Sequence, residues 1–327
     1  MAGAIRDWES WVLTRCQAGE ILRVQVLQEL WGGYGQLMRL SLRGGPRTSV
    51  ILKRVLAPSS QQGSASDRRK RRSYEIEQAW YEGPAARCEQ VCRVATCLGS
   101  HGPSGGSTEV SLGDSRLLLL EDLELEGYHP ARPPQSHQIG QGLRWLAQLH
   151  ARFLGPSPPG LWPRGSYWHL QTRREEWERM PEGPLKEAAP QLDRLLAEAR
   201  FQTVLHGDAK PANFCWSPEK GAAAVDFQYV GGGCGIRDVA YFLDCCLDEH
   251  RCQSEAEPWL AHYFSCLNEA LAQQGQESQA AELEAEWRAL YPVAWSDYQR
   301  FYQGWSRRPS PLGPYSQLQL RRALRLL

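Results

Sequence analysis

The chain has no long hydrophobic run, no net charge and no Cys-x2-Cys pair, and each absence weighs against a class of function. Its apolar runs are short, Leu117–Leu120 among them, far below the ~18 residues that a membrane-spanning helix needs. The first residues mix Arg6, Asp7, Glu9 and Arg15 with apolar side chains, which is not the pattern of a secretory signal. A cytoplasmic protein with no membrane partner is the expectation. Lys plus Arg number 37 and Asp plus Glu number 37, so the chain carries no broad positive field for nucleic acid. The local exception is Arg68-Arg-Lys-Arg-Arg72. It reads either as a nuclear-localisation patch or as the solvated start of a helix behind Asp67. No aromatic stacking motif accompanies it, so a nucleic-acid partner is not expected. The ten cysteines are scattered. Cys88, Cys92 and Cys97 form the densest group, but without Cys-x2-Cys spacing or a following His pair they read as reduced structural thiols rather than a zinc site.

What is present is a change of period along 327 residues. A short amphipathic helix is expected over 4–16. From Ile21 the pattern alternates as in a strand, Trp31-Gly-Gly-Tyr-Gly35 breaks it, and Leu37–Leu42 and Ser49–Val55 read as further strands around the turn Arg43-Gly-Gly-Pro46. A loop over 57–67, a charged helix over 68–82 ended by Pro84, a strand over 91–98, a long loop over 99–114 and a buried strand Arg116–Leu120 follow. The rest is mainly helical. Ile139, Leu143, Leu146, Leu149 and Phe153 mark one buried helix face, and further helices are expected near 171–180, 185–200, 237–248, 256–273, 277–290, 293–303 and 316–326. The change from β-rich to helical falls at about 121–128. The expected class is therefore α+β, with 1–123 forming a five-stranded antiparallel sheet with one main helix and 124–327 mainly helical.

The residues with most chemistry are Val-Leu-His-Gly-Asp-Ala-Lys-Pro-Ala-Asn-Phe at 204–214 and Val-Asp-Phe-Gln at 225–228. Phosphoryl transfer needs a metal across the phosphates and a group that positions the attacking hydroxyl. Asp208 can orient or deprotonate a hydroxyl, and Lys210 can neutralise charge on the moving group. Asn213 and Asp226 are hard oxygen ligands suited to Mg2+. The bland alternative is a polar turn with a salt bridge. His206 reads as a brace for the loop rather than a reacting group.

His-Gly-Asp-x4-Asn followed by Val-Asp-Phe-Gln resembles the small-molecule kinases of the protein-kinase-like fold. These include choline kinases, aminoglycoside phosphotransferases and the ecdysteroid kinase-like family. Gln228 after Asp-Phe, Glu77-Gln-Ala-Trp80-Tyr81, Leu119-Leu-Glu-Asp-Leu123 and Leu146-Ala-Gln-Leu-His150-Ala are similar to segments of the last family. The resemblance spans about residues 20 to 250. It implies a bilobal molecule, an ATP and Mg2+ requirement, and a hydroxyl-bearing small molecule as acceptor. By position it assigns Lys53 to the α- and β-phosphates and Glu77 as its partner, with Glu75 as the alternative. Glu121 falls in the interlobe, nucleotide-binding segment. Gly33 and Gly35 fall where a glycine-rich loop covers the phosphates, although Trp31–Gly35 does not match Gly-x-Gly-x-x-Gly and also fits a plain hairpin turn. Asp238 falls where a helix-start aspartate anchors the catalytic loop, and it also fits a simple helix N-terminal charge.

A protein kinase fits less well. Asp-Phe-Gly is Asp-Phe-Gln here, only Tyr229–Arg237 separates it from Asp238, and no Ala-Pro-Glu follows. The helical stretch between Leu123 and His206 is also longer than a protein kinase needs. A nucleotide-binding pseudokinase or scaffold is the other alternative. Trp162, Trp168, Trp177, Trp259, Trp295 and Trp305 are candidate walls of an acceptor pocket for an apolar or cationic molecule.

Overall fold

In a computed structural model, which describes residues 7–56, 63–88, 91–103 and 115–327, the alternation that begins at Ile21 becomes an antiparallel sheet. Its strands are β1 (Glu20–Glu29), β2 (Gly35–Arg43), β3 (Ser49–Val55), β4 (Cys97–His101) and β5 (Arg116–Glu121), in the order β1-β2-β3-β5-β4. Helix α1 (Asp7–Cys16) and helix α2 (Ala65–Glu82) accompany it. Met38, Leu40 and Leu42 on β2, Val50 and Leu52 on β3, and Leu117 and Leu119 on β5 share one face. They bury it against Trp8, Trp11 and Val12 of α1. Each such side chain contributes roughly 1.5–3 kcal/mol of burial. The β5 leucines show no alternation in sequence because both faces of that central strand are covered; Leu117 through Leu120 are all buried. Ser64 caps α2, its hydroxyl accepting from the Asp67 N–H at 3.0 Å.

The chain divides into two compact units, Met1–Ala85 with Val94–His129, and Ala86–Arg93 with Pro130–Leu327. The second unit holds helices α3 (Ser136–Arg152), α4 (Arg174–Glu178), α5 (Pro184–Glu198), α6 (Ile236–Cys246), α7 (Glu249–Gln273), α8 (Ala280–Trp305) and α9 (Pro314–Leu324). Four short strands form two antiparallel pairs: β6 (Thr203–Leu205) with β9 (Gly231–Gly233), and β7 (Phe214–Ser217) with β8 (Gly221–Ala224). The periodic face of α3 is buried as its spacing requires, Ile139, Leu143, Leu146 and Leu149 all being inaccessible.

Several expectations about element bounds differ from the structure: α2 and β4 take up ends of the loops expected over 57–67 and 99–114, and the helix expected near 171–180 is a 3-10 turn followed by the short α4. The strand expected over 91–98 begins only at Cys97. The Arg93 carbonyl instead accepts from Trp145 Nε1 at 2.9 Å and from the Ala224 N–H at 3.1 Å, which draws residues 86–93 into the second unit. The helices expected over 277–290 and 293–303 are one helix, α8, running through Pro292. Likewise α7 starts at Glu249 and runs through Pro258. A proline inside a helix costs about 3 kcal/mol. Trp287, Tyr291, Val293, Ala294, Trp295 and Tyr298 are all buried around Pro292, and that packing offsets the cost. The loop expected at 57–67 and the one at 99–114 fall partly outside the described residues, as does the start of the first helix. Among the described residues, no helix is long and apolar enough to cross a membrane.

Candidate active site

The segment after β6 is a tight turn rather than a helix, and its polar groups are fixed from below by α6. Asp238, in the first turn of α6, is fully buried. Its Oδ2 accepts the His206 N–H at 2.6 Å and its Oδ1 accepts the Gly207 N–H at 3.1 Å. His150 Nε2 lies 3.3 Å from Oδ2, and Tyr263 holds the other ring nitrogen at 2.8 Å. Of the two roles open to Asp238 from sequence, the structure displays the anchoring contacts. Gly207 has φ +80°, and a Cβ there would meet the Tyr229 carbonyl at 2.0 Å, so the turn requires glycine.

His206 braces the same turn. Its Nε2 donates to the Val225 carbonyl at 3.1 Å, and its Nδ1 accepts the Asp208 N–H at 3.3 Å. Burial pushes its pKa down despite the nearby carboxylates, so the ring stays neutral in the tautomer that these two bonds need. The Asn213 carbonyl accepts the Val225 N–H at 2.9 Å. These bonds tie the 206–213 loop to the segment that carries Asp226.

Asp208 is buried, and its two oxygens are engaged differently. Oδ2 accepts from Lys210 Nζ at 2.9 Å and from Asn213 Nδ2 at 2.9 Å. Oδ1 accepts from the Tyr241 hydroxyl at 3.2 Å. Burial is the largest influence on Asp208 and raises its pKa, with the Lys210 ammonium opposing it. A raised carboxylate is a better proton acceptor than an exposed one. For Lys210 burial is again the largest influence and lowers the pKa, but the charge and hydrogen bond of Asp208 outweigh it and the net shift is upward. Lys210 is thus held as an ammonium.

Asn213 Nδ2 also donates to the Asp208 carbonyl at 2.9 Å. With its amide nitrogen committed twice, its Oδ1 is presented as a hard donor. Asp226 adopts φ +67°, a left-handed conformation that Asp tolerates better than most residues. Its Oδ1 accepts from Gln228 Nε2 at 2.6 Å. Two oxygen donors on tied segments suit Mg2+, which keeps several waters and uses few protein ligands. Among the described residues no three His, Cys, Asp or Glu side chains gather as a metal-binding group, and all ten cysteines are free.

In the first unit, Lys53 Nζ and Glu77 Oε2 form a buried pair at 2.7 Å. Glu75 instead pairs with Arg72 at 3.0 Å on the surface of α2. A small cavity beside the pair is lined by Lys53, Glu77, Tyr74, Val55 and Arg116. Glu121 is buried, and its carboxylate accepts the Thr96 N–H at 2.7 Å. Trp31–Gly33 forms a single 3-10 turn between β1 and β2. It is closed by the Leu30 N–H donating to the Gly35 carbonyl at 2.8 Å. Gly33 (φ +75°) has open space where a Cβ would be, whereas at Gly35 (φ +124°) a Cβ would meet the Arg54 carbonyl at 2.1 Å. Gly35 is therefore required by the hairpin itself. In the basic run, Arg71 pairs with Asp67 and Arg72 with Glu75 along α2.

Sequence reasoning missed Tyr241 and Tyr167. Tyr241, Trp168, Tyr298 and Phe301 form one buried cluster with Tyr167 against it. Tyr241 is three residues after Asp238 and shares its helix face, and that spacing was the available signal. Of the six candidate tryptophans, Trp168 belongs to this cluster. Trp162 stacks on Tyr229, and Trp305 stacks on Phe301 while 52% exposed. Trp177 donates to the Lys186 carbonyl, Trp259 to Glu255 Oε2, and Trp295 to Ser316.

Comparison with curated protein sequences found no match. Among solved structures, the chain is similar to a Thermobifida fusca protein named as a candidate fructosamine-3-kinase. That match has a TM-score of 0.55 and 17% identity and covers 97% of this chain and 98% of that one. It is also similar to a microcompartment-associated aminopropanol kinase, with a TM-score of 0.50 and 14% identity, covering 96% and 93% of the two chains. At such identities these likenesses establish the fold, the protein-kinase-like α+β fold that the sequence leads one to expect. A family model for phosphotransferase enzymes matches residues 26–294, and the chain belongs to that family.

Proposed function

We propose that the protein is a kinase that transfers the γ-phosphoryl group of ATP, with Mg2+, to a hydroxyl group of a small molecule. The observation that carries this reading is the set Asp208, Lys210 and Asn213, in which Lys210 Nζ and Asn213 Nδ2 each donate to Asp208 Oδ2 at 2.9 Å and Asn213 is tied through Val225 to the segment of Asp226. Asp208 would accept the acceptor's proton, and its burial raises its basicity. Lys210 would offset charge on the moving group. Asn213 Oδ1 and the Asp226 carboxylate would hold Mg2+, whose chemistry when bound is to neutralise charge on the phosphate oxygens. Lys53, oriented by Glu77, would hold the α- and β-phosphates. Glu121 and the Gly33–Gly35 turn would serve the nucleotide. The fructosamine and aminopropanol named for the two structural relatives supply acceptors to try first, and a cytoplasmic site of action accompanies the reading.

One contact favours a second reading. Gln228 already occupies Asp226 Oδ1 at 2.6 Å, as it would in a nucleotide-binding scaffold that never completes a metal site. The test is transfer from [γ-32P]ATP to a panel of amino alcohols, a fructosamine and a metabolite extract, comparing wild type with Asp208→Asn. Labelled product from wild type and none from the variant supports the kinase. A Mg2+-dependent shift in melting temperature with ATP, without product from either protein, favours the scaffold.

A further inference from the structure

The contact to Asp208 that the chemistry above leaves unused comes from Tyr241. Helix α6 presents Asp238 and Tyr241 from one face to the 206–208 turn, the first holding backbone N–H groups and the second the reacting side chain. Lys210 and Asn213 fix Oδ2 of Asp208. Without a partner on Oδ1 the carboxylate could still pivot about that end. The Tyr241 hydroxyl, donating to Oδ1 at 3.2 Å, removes the pivot. An ionised carboxylate oxygen accepts two hydrogen bonds, so Oδ1 keeps a second direction for an incoming hydroxyl.

The phenol is a rigid anchor. Its ring lies 4.6 Å from that of Trp168 and 4.7 Å from that of Tyr298, and the side chain is buried. Burial, then the charge of Asp208, pushes the phenol's pKa far above its ordinary value, so it keeps its proton and remains a donor. The Tyr167 hydroxyl lies 3.4 Å from that of Tyr241. With the Tyr241 proton committed to Asp208, Tyr167 is the donor in that pair. The result is a chain of two hydroxyls ending on Asp208.

We infer that Tyr241 is a positioning residue for phosphoryl transfer, its hydroxyl, backed by Tyr167, setting the direction in which Asp208 Oδ1 meets the acceptor. The inference rests on the kinase reading. In that step the acceptor's proton passes to Asp208, the bond from the acceptor oxygen to phosphorus forms, and the bond from phosphorus to the ADP oxygen breaks.

Tyr241→Phe deletes the hydroxyl and keeps the ring, so packing alone predicts no change. With [γ-32P]ATP and the acceptor panel as probes, positioning predicts that kcat falls about tenfold, since small misplacements of reacting groups are expensive in rate. The KM for ATP is expected to stay as in wild type. Tyr167→Phe should lower kcat by about threefold. Because Tyr167 acts through Tyr241, the double variant should be no slower than Tyr241→Phe alone. Three results would overturn the inference: a Tyr241→Phe rate within twofold of wild type, a double variant whose losses multiply, or a rise in kcat/KM showing that the hydroxyl merely occupies the acceptor's place. A crystal structure of Tyr241→Phe decides independently of turnover; an unmoved Asp208 carboxylate refutes positioning, and a rotated one supports it. Failure of the kinase reading looks different, since it would appear as no labelled product from the wild-type protein with any acceptor.

Discussion

Replacing Asp238 should loosen the 206–208 turn by an amount that can be worked from its contacts. Asp238 is fully buried and accepts two backbone N–H groups, from His206 at 2.6 Å and Gly207 at 3.1 Å. Leaving a buried donor without a partner costs about 1–3 kcal/mol. Asp238→Ala strands both donors, for a loss of roughly 2–6 kcal/mol in the free energy that keeps the turn closed. Asp238→Asn keeps one accepting oxygen and turns its NH2 toward the other donor, so about half that loss is expected. Hydrogen–deuterium exchange across residues 204–209 reads this directly, because about 1.4 kcal/mol of local opening is tenfold in rate when exchange follows the opened population. Exchange at His206 and Gly207 should therefore rise roughly tenfold in the Asn variant and a hundredfold or more in the Ala variant. Phosphoryl transfer should fall in the same order while ATP binding persists. Exchange within threefold of wild type in Asp238→Ala would show that the turn does not depend on this carboxylate.

Breaking the 2.7 Å Lys53–Glu77 pair with Lys53→Met should cost about 3 kcal/mol, because it leaves a carboxylate in a buried site without its ammonium. The double variant Lys53→Met/Glu77→Leu should recover most of that stability and none of the transfer activity. Urea unfolding with equal losses in the single and double variants would contradict it. Stability should also depend on pH through His169. Burial, followed by the charge of Arg237, pushes this histidine down from 6.5 to about 4. The unfolded chain therefore binds a proton below about pH 6.5 that the folded chain refuses until about pH 4, so stability is full above the first value and drains as pH falls between them. The loss is at most about 3 kcal/mol at 1.36 kcal/mol per unit. His169→Asn, which retains an acceptor for the Gln171 N–H, should flatten that slope. Parallel melting curves for wild type and variant between pH 7 and pH 4 would refute the assignment.

The sheet was legible because its signals are local. Turn glycines separate β1, β2 and β3, so their antiparallel meander followed, whereas the placement of β5 between β3 and β4 did not. Asp208, Lys210, Asn213 and Asp226 were legible because one loop and one strand end carry all four. Tyr241 carries no chemical signal of its own in the sequence beyond the three-residue step on α6 that places it on the face of Asp238. The buried charges around Arg237 gave no local signal at all. Asp193 meets Arg237 at 3.2 Å, and Asp297 meets Arg300 at 2.8 Å and Arg237 at 3.2 Å. The partners lie 44 to 60 residues from Arg237 on separate helices, and only the packing of α5, α6 and α8 unites them. The prolines at 258 and 292 misled for the opposite reason, since a strong local rule was outweighed by tertiary burial.

In the proposed reaction Asp208 meets the acceptor hydroxyl, and transfer of label from [γ-32P]ATP in the Asp208→Asn variant reads that role. This variant should keep its Mg2+-dependent ATP thermal shift and lose acceptor phosphorylation by at least about a hundredfold. Turnover equal to wild type in Asp208→Asn would contradict it.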